Sequence, residues 1–208
     1  MKIVAFSDLH WRVNELQSVP EADVLVYAGD WCYGDTIKTT IVFASKLKSF
    51  KAKHKIVVAG NHDTIAESNP ALVQSILKEN GIIYLQDTGI TIDGINFWGS
   101  PWTPEFNNWA FMKEDRLLKY KWDKIPKNTD VLITHGPPYS ILDKVEYYRS
   151  VGSETLESSV LTKKPKIHIF GHIHEGYGKM SSKNTYFYNV SLVNEKYELV
   201  NKPVEIEL

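Results

Sequence analysis

Five β-branched runs, spread from one end of the chain to the other, each close on a turn of Gly, Asp, Asn or His, and this recurrence restricts the fold more than any other feature. Residues 2–6 (KIVAF), 23–28 (DVLVYA), 54–59 (HKIVVA), 130–134 (DVLIT) and 166–170 (KIHIF) read as buried strands. Most lead through turn residues into apolar positions at helical spacing, the alternation of an α/β sheet. Ile37, Ile41, Ala44 and Leu47 predict a helix between the second and third strands. A second helix is predicted from Pro70, with Asn69 as its cap, Leu72, Val73, Ile76 and Leu77 on one face, and Gly81 as its stop. Asp93-Gly94, flanked by Ile90 to Ile92 and Ile95 to Trp98, predicts a hairpin because both turn residues tolerate positive φ. Residues 153–161 predict a third helix, and 186–190 and 204–208 later strands. No repeat, low-complexity tract or flexible linker divides the 208 residues, so one domain over 1–208 is expected.

Charge and cysteine content narrow the function classes. Lys plus Arg is 24 and Asp plus Glu is 25, a formal charge of −1, so nothing attracts nucleic acid or acidic membranes globally. A polyanion would have to be held locally. The lone Cys32 excludes an intramolecular disulfide framework and suits a reducing compartment. After Lys2 only Ile3, Val4, Ala5 and Phe6 are apolar before Ser7, Asp8 and His10, too few for an export signal, and the longest apolar runs are strand-sized. The expectation is a soluble, cytoplasmic protein with no membrane partner; oligomeric state is left open.

The strand ends carry the chemistry. They read DLH (Asp8, His10), GDW (Gly29, Asp30), GNHD (residues 60–63), THGPP (residues 134–138) and GHIH (residues 171–174). In open α/β sheets ligands bind at the carboxyl ends of strands, so these segments should converge on one crevice. Oxygen and imidazole donors without thiolate suit divalent ions such as Mn²⁺, Fe²⁺ or Zn²⁺. So many donors exceed the needs of one ion, whereas two ions about 3.5 to 4 Å apart would share them, one carboxylate bridging. In DLH and GHIH the paired residues are i and i+2, which on extended backbone point to one side and can chelate. The glycines before Asp30, Asn61 and His172 allow a sharp turn and a close approach. His62, next to the ligand candidate Asn61, should project elsewhere, as an acid rather than a ligand.

Blander readings compete at several positions. His168 lies between Ile167 and Ile169 and reads as a core residue; His54, beside Lys53 and Lys55, reads as solvent-exposed; Cys32 reads as a small buried filler. The lysines at 46, 48, 51, 53 and 55 read as a solvated face, not a nucleic-acid patch.

Together the motifs DLH, GD, GNHD, HG and GHIH resemble the signature of the calcineurin-like metallophosphoesterases. That resemblance implies an α/β fold with a two-sheet β-sandwich flanked by helices in four layers (αββα). It also implies a dinuclear site, with Asp8, His10, Asp30 and His174 on one ion and Asp30, Asn61, His135 and His172 on the other. Manganese is the preferred ion, with iron, zinc, cobalt or magnesium as alternatives. The stretches GSPWTPEFNNWAF (residues 99–111), THGPP and FGHIHEGYG (residues 170–178) are similar to a narrower group, the metallophosphoesterase-domain-containing proteins of fetal brain type. That group looks like metal-dependent phosphodiesterases with nucleotide ligands, some members having glycine where this chain has His172. The protein Ser/Thr phosphatases place arginines behind GD and GNH to clamp a dianionic monoester; here those stretches are Trp31 to Gly34 and Thr64 to Glu67, without arginine. The expectation therefore leans to a diester.

The expected reaction is in-line attack on phosphorus by a hydroxide bridging the two ions, with Asp30 and Asn61 positioning the metals and His62 protonating the departing alkoxide. Trp102, Phe106, Trp109 and Phe111 either stack a nucleobase, with Asn107 or Asn108 reading its edge, or cover the core beneath a long loop. Glu175, Gly176 and Tyr177 either bring backbone amides to the phosphate or form a tight turn. The favoured function is a small-molecule phosphodiesterase acting on a nucleotide or cyclic nucleotide. The alternatives are a nuclease or phosphomonoesterase on the same site, and a low-turnover nucleotide-binding regulatory module; nucleic acid is the less favoured partner.

Overall fold

A computed structural model describes residues 1–32, 36–145 and 149–208. Among the described residues two large mixed sheets dominate. In the first, β1 (Lys2–Phe6), β2 (Ala22–Ala28), β3 (Ala52–Val58) and the short β4 (Ile83–Tyr84) run parallel, and β15 (Val204–Glu207) closes the edge antiparallel to β1. In the second the order is β13-β14-β12-β9-β6-β5: Gly178–Ser182, Thr185–Asn189, Ile167–Phe170, Val131–Thr134, Ile95–Ser100 and Thr88–Ile92. The middle pairs of that sheet are parallel, and each outer pair is an antiparallel hairpin. Outside these sheets β7 (Thr103–Pro104) pairs with β8 (Met112–Lys113), and β10 (Lys144–Val145) with β11 (Arg149–Ser150). Asp93 and Gly94 turn the β5–β6 hairpin with φ of 48° and 80°, the positive values a two-residue loop demands.

Strand periodicity sorts the core into layers. Ile3 and Ala5 of β1, Val24 and Val26 of β2, and Ile56 and Val58 of β3 pack against Val131 and Ile133 of β9 and Ile167 and Ile169 of β12, between the sheets. The alternate residues Val4, Phe6, Leu25, Tyr27 and Val57 face α1 (Ile37–Ser49) and α3 (Pro70–Glu79) through Phe43, Leu47, Val73 and Leu77. On the far side Leu132, Phe170 and Phe187 meet α4 (Asp115–Trp122) and α5 (Glu154–Lys163) through Leu118, Trp122, Leu156 and Val160. The expected four layers are the observed ones.

Caps set the helix limits. Thr36 and Thr39 form a capping box for α1, Asn69 accepts from the Leu72 amide before Pro70 opens α3, and Ser153 accepts from the Leu156 amide at the start of α5. Sequence reading missed α2 (Thr64–Ser68) and α4. Among the described residues no helix is long and apolar enough to cross a membrane.

Candidate metal centre and its cavity

Strained backbone marks the rim where the sheets' carboxyl ends meet. Asp8, His10, Asp30 and His172 have φ of 58°, 48°, 61° and 67°, a left-handed region that costs about 1 to 3 kcal/mol for a residue with a Cβ. The neighbourhood over-determines them. The Asp8 amide donates to the Gly29 carbonyl at 3.0 Å and the His10 amide to the Asp30 carbonyl at 2.9 Å. Buried Tyr27 accepts from the Leu9 amide at 3.0 Å and donates its hydroxyl to the Asp30 carbonyl at 2.9 Å. Buried Asp63 accepts four amides, from Asp30 at 2.9 Å, Trp31 at 3.0 Å, Cys32 at 3.0 Å and Gly60 at 2.7 Å, which fastens the GD turn to the GNHD turn. Burial and the Asp30 charge push the Asp63 carboxyl well up, against the pull of those N–H groups.

This geometry corrects the extended-backbone reading of DLH and GHIH. Left-handed residues turn the chain there, and each motif runs into a 3-10 turn, His10–Arg12 and His174–Gly176. Asp8 and His10 still share a group, with His174, but His172 faces a different one, with Asp30 and His135. A third group joins His10, Asp30 and His62; in each group the ligand atoms lie within 4.8 Å of one another. Gly29 makes the sharp turn, at φ 101°, whereas at the other two glycines space decides: a Cβ at Gly60 would strike the Asp30 carboxylate and the His135 ring, and one at Gly171 the Ser7 hydroxyl and the Asp8 carboxylate.

The donor set fits divalent ions on hydrogen-bond grounds. His135 Nδ1–H donates to the Ala28 carbonyl at 2.9 Å, so in the neutral ring Nε2 carries a lone pair. That lone pair faces two further acceptors, Asn61 Oδ1 at 2.9 Å and Asp30 Oδ2 at 3.3 Å. Rotating the Asn61 amide would give Nε2 a donor and a partner to Nδ2, which is buried with none among the described residues, but it would still leave the lone pair against the Asp30 carboxylate. A positive charge has to stand among these three acceptors: a divalent ion fits there, and without one His135, raised by Asp30, keeps a proton on Nε2. Likewise His174 Nδ1–H donates to the Asn194 carbonyl at 3.1 Å, leaving Nε2 toward His10 Nε2 at 3.5 Å and Asp8 Oδ1 at 3.8 Å.

Electrostatics agree. Burial holds His10 down at about 4, against Asp30 and Asp8, and pushes His172 well down with help from the His135 charge. Burial opposes charge on His135 too, but Asp30 outweighs it and raises this ring to about 9. Burial pushes the Asp30 carboxyl up, yet the His135 charge wins and leaves it below the usual carboxylate range. Buried His168 takes no part: it sits 2.8 Å from the Thr134 hydroxyl, and burial drops it to about 3. His54 is half-buried rather than exposed, and Cys32 is buried beside the Thr39 hydroxyl at 2.9 Å.

Above the donors opens a cavity of about 870 Å³, the size of a small-molecule site. Asp30, Asn61, His62, His172 and His174 form its floor. The His62 amide donates to Asp30 Oδ1 at 2.8 Å, and its ring lies 5.0 Å from His10 and 4.6 Å from Trp109. Phe106, Trp109 and Tyr197 supply aromatic faces, and Glu105, Glu175 and Glu195 carboxylates.

The substrate-contact expectations divide. Phe106, 70% exposed, lines the cavity with Trp109, while the loop's base is pinned by the Ala110 amide to the Asn61 carbonyl at 3.1 Å and by the Phe111 amide to Glu67 at 3.1 Å. Trp102 does not line it: this ring is buried, donates Nε1–H to Asp87 at 3.1 Å, and has the Lys121 ammonium 3.9 Å from its centroid. Asn107 and Asn108 are exposed and outside the lining. Glu175 lines it, but the Gly176 and Tyr177 amides are spent on the Ile173 carbonyl at 3.0 Å and the His174 carbonyl at 3.4 Å, so they are not aimed at a phosphate. The turn explains that stretch.

Sequence reading also missed the remote wall residues. Tyr197, at φ 60°, packs on His10 at 4.8 Å and His174 at 5.1 Å. Its Asn194-centred turn was legible, because an Asn that takes the Lys196 and Glu198 amides is ordinary turn chemistry. Its place against the rim was not. The stretches behind GD and GNH carry no arginine, but β11, paired with β10, brings Arg149 into the lining from a segment the sequence reading did not single out.

Known proteins share this arrangement of sequence and fold. A family model described as calcineurin-like phosphoesterase matches residues 1–176. Metallophosphoesterase domain-containing protein 1 of Homo sapiens is 36% identical over 233 residues, spanning 100% of this chain and 71% of its own length. UPF0046 protein K07C11.7 of Caenorhabditis elegans is 35% identical over 216 residues, spanning 98% and 74%. The crystal structure of TT1561 of Thermus thermophilus superposes with a TM-score of 0.63 at 14% identity, covering 90% of this chain and 88% of that one, a likeness of fold alone.

Proposed function

The chain belongs to the calcineurin-like phosphoesterase family, and from that premise we propose that it is a dinuclear-metal phosphodiesterase acting on a small nucleotide or cyclic nucleotide. The observation that carries this reading is the set of acceptor atoms converging on the floor of a cavity walled by aromatic rings and carboxylates. Asp8, His10, Asp30 and His174 would hold one ion and Asp30, Asn61, His135 and His172 the other, with manganese preferred. When bound, the ions supply an activated water at neutral pH and neutralise charge on the phosphoryl oxygens.

The protein's own residues do the rest. Asp63 and Tyr27 hold the Asp30 turn in its strained conformation, so the shared carboxylate is set before substrate arrives. Carbonyls of Ala28 and Asn194 fix the tautomers of His135 and His174. His62 lines the cavity beside the cluster and would give a proton to the departing alkoxide. Phe106, Trp109 and Tyr197 offer faces to a base. Glu105, Glu175 and Glu195 disfavour a nucleic-acid strand and penalise a dianionic monoester more than a singly charged diester.

The test is a substrate panel on metal-stripped protein reloaded with Mn²⁺: aryl phosphate monoester and diester, 2′,3′- and 3′,5′-cyclic nucleotides, and single-stranded DNA. Faster turnover of diesters than of monoester or DNA is the expected result. A preferred monoester or DNA substrate would overturn it, as would two bound ions with no hydrolysis, the mark of a nucleotide-binding regulatory module.

A further inference from the structure

Arginine is scarce in this chain, and its three copies are used differently. Arg12 pairs with Glu15 at 2.8 Å and Arg116 with Glu114 at 2.7 Å, both on the surface. Arg149 makes no ion pair among the described residues and lines the cavity, where it is the one lysine or arginine in the described lining. Three glutamates line the same cavity, and none of them pairs with Arg149 among the described residues.

The hairpin that bears Arg149 is tied to the loop that bears His135. Asp143, buried beside β10, accepts the Ser140 amide at 2.9 Å and the Gly152 amide at 2.9 Å, and the Val151 amide donates to the Asp143 carbonyl at 3.2 Å. Ser153 donates its amide to the Pro137 carbonyl at 3.0 Å, two residues beyond His135, and accepts from the Tyr139 amide at 3.0 Å. Gly152 is required there, because a Cβ would press on the Pro137 and Pro138 carbonyls. Val145, Arg149, Ser150 and Val151 thus form a wall whose base is anchored to a ligand-bearing turn. We propose that Arg149 is the substrate-specificity residue of this site, its guanidinium holding the anionic oxygens of the phosphate against the metal-ligand cluster. The inference rests on the phosphoesterase reading, and it locates in a remote hairpin the clamp that the GD and GNHD turns lack. A planar fork matches phosphate oxygens in a way an ammonium does not, so lysine at this position should restore only part of the effect.

The experiment uses the full chain loaded with Mn²⁺ and compares wild type, R149A, R149K and the surface control R116A. Inorganic phosphate binding is read by calorimetry and hydrolysis of the aryl diester by steady-state kinetics. R149A should weaken phosphate affinity and raise KM by about tenfold, the low end for a charged hydrogen bond because the guanidinium is exposed. R149K should recover part, and R116A should match wild type. Manganese stoichiometry and melting temperature should stay unchanged in all four. Phosphate affinity in R149A equal to wild type would overturn the proposal, as would a wild type that binds no phosphate. Absence of hydrolysis with phosphate binding still dependent on Arg149 would overturn the phosphodiesterase reading instead, leaving the clamp in place.

Discussion

The rim of strand ends and the walls of the cavity are built on opposite principles. At the rim Asp8, Asp30, Asn61 and His135 are buried, four ligand candidates sit in left-handed backbone, and the carbonyls and carboxylates behind them are committed. The walls put exposed side chains, Phe106, Glu105, Glu175 and Arg149, on segments pinned only at their bases. Rigid chemistry below and exchangeable contacts above is how one fold keeps a reaction while changing its substrate. Substitutions at the rim should therefore cost chemistry and stability together, and substitutions in the walls should cost binding alone.

The sharpest test of that contrast is Asp30→Asn. It removes the one carboxylate shared by two donor groups, and turnover should fall at least about a thousandfold, with calorimetry finding neither ion tightly held. Retention of both ions would mean that the groups do not share Asp30. His62→Asn comes next, an intermediate case on the boundary between floor and walls. Turnover should drop roughly a hundredfold while Mn²⁺ binding persists; a variant with full turnover removes His62 from proton transfer.

A third contrast is in acid and base. In chelator-treated protein His10 and His168, held near 4 and 3, and His172, held well down, stay neutral where the unfolded chain already binds protons near about 6.5. Their stabilisation is complete above that value and is lost as pH falls, by about 1.4 kcal/mol per unit for each ring until its folded value is reached. His135, raised to about 9, works in the other direction: its contribution is complete below about 6.5 and is lost as pH rises toward 9. The urea midpoint of metal-free protein should therefore peak near neutrality, and saturating Mn²⁺ should abolish the alkaline decline, since ligation takes the His135 proton's place. A flat profile would mean that the rim is more hydrated than its packing implies.

The smallest effect belongs to the walls. Phe106→Ala should raise KM for a nucleotide substrate about fivefold, the low end for lost stacking on an exposed ring, and shift unfolding by less than about 0.5 kcal/mol. Loss of stability instead would make Phe106 a cover for the core and erase the distinction between the two regions.

Pattern alone located β1, β2, β3, β9, β12, β14 and β15, the capped helices α1, α3 and α5 and the Asp93-Gly94 hairpin, because strand periodicity, cap chemistry and turn chemistry are local properties; it missed β13 and the two-residue strands. It also placed every ligand candidate at a strand's carboxyl end, since in a parallel sheet that edge follows from chain direction. The helix at 115–122 was missed although Leu118 and Trp122 stand four apart, its lysines and short length diluting the signal. Burial of Trp102 was hidden because the loop's fate depends on Asp87 and Lys121, residues 15 and 19 positions away.

What tertiary structure alone decided is which distant segments share a wall. Arg149, Glu195 and Tyr197 carry no mark in the sequence that sets them apart from other surface arginines, glutamates and tyrosines; they become cavity residues only because a hairpin beyond His135 and a turn beyond β14 fold back over the same rim. Local sequence can specify a strand end, since backbone geometry acts over a few residues. Juxtaposition across the sandwich is a property of packing, settled by how two sheets and their helices close around one core.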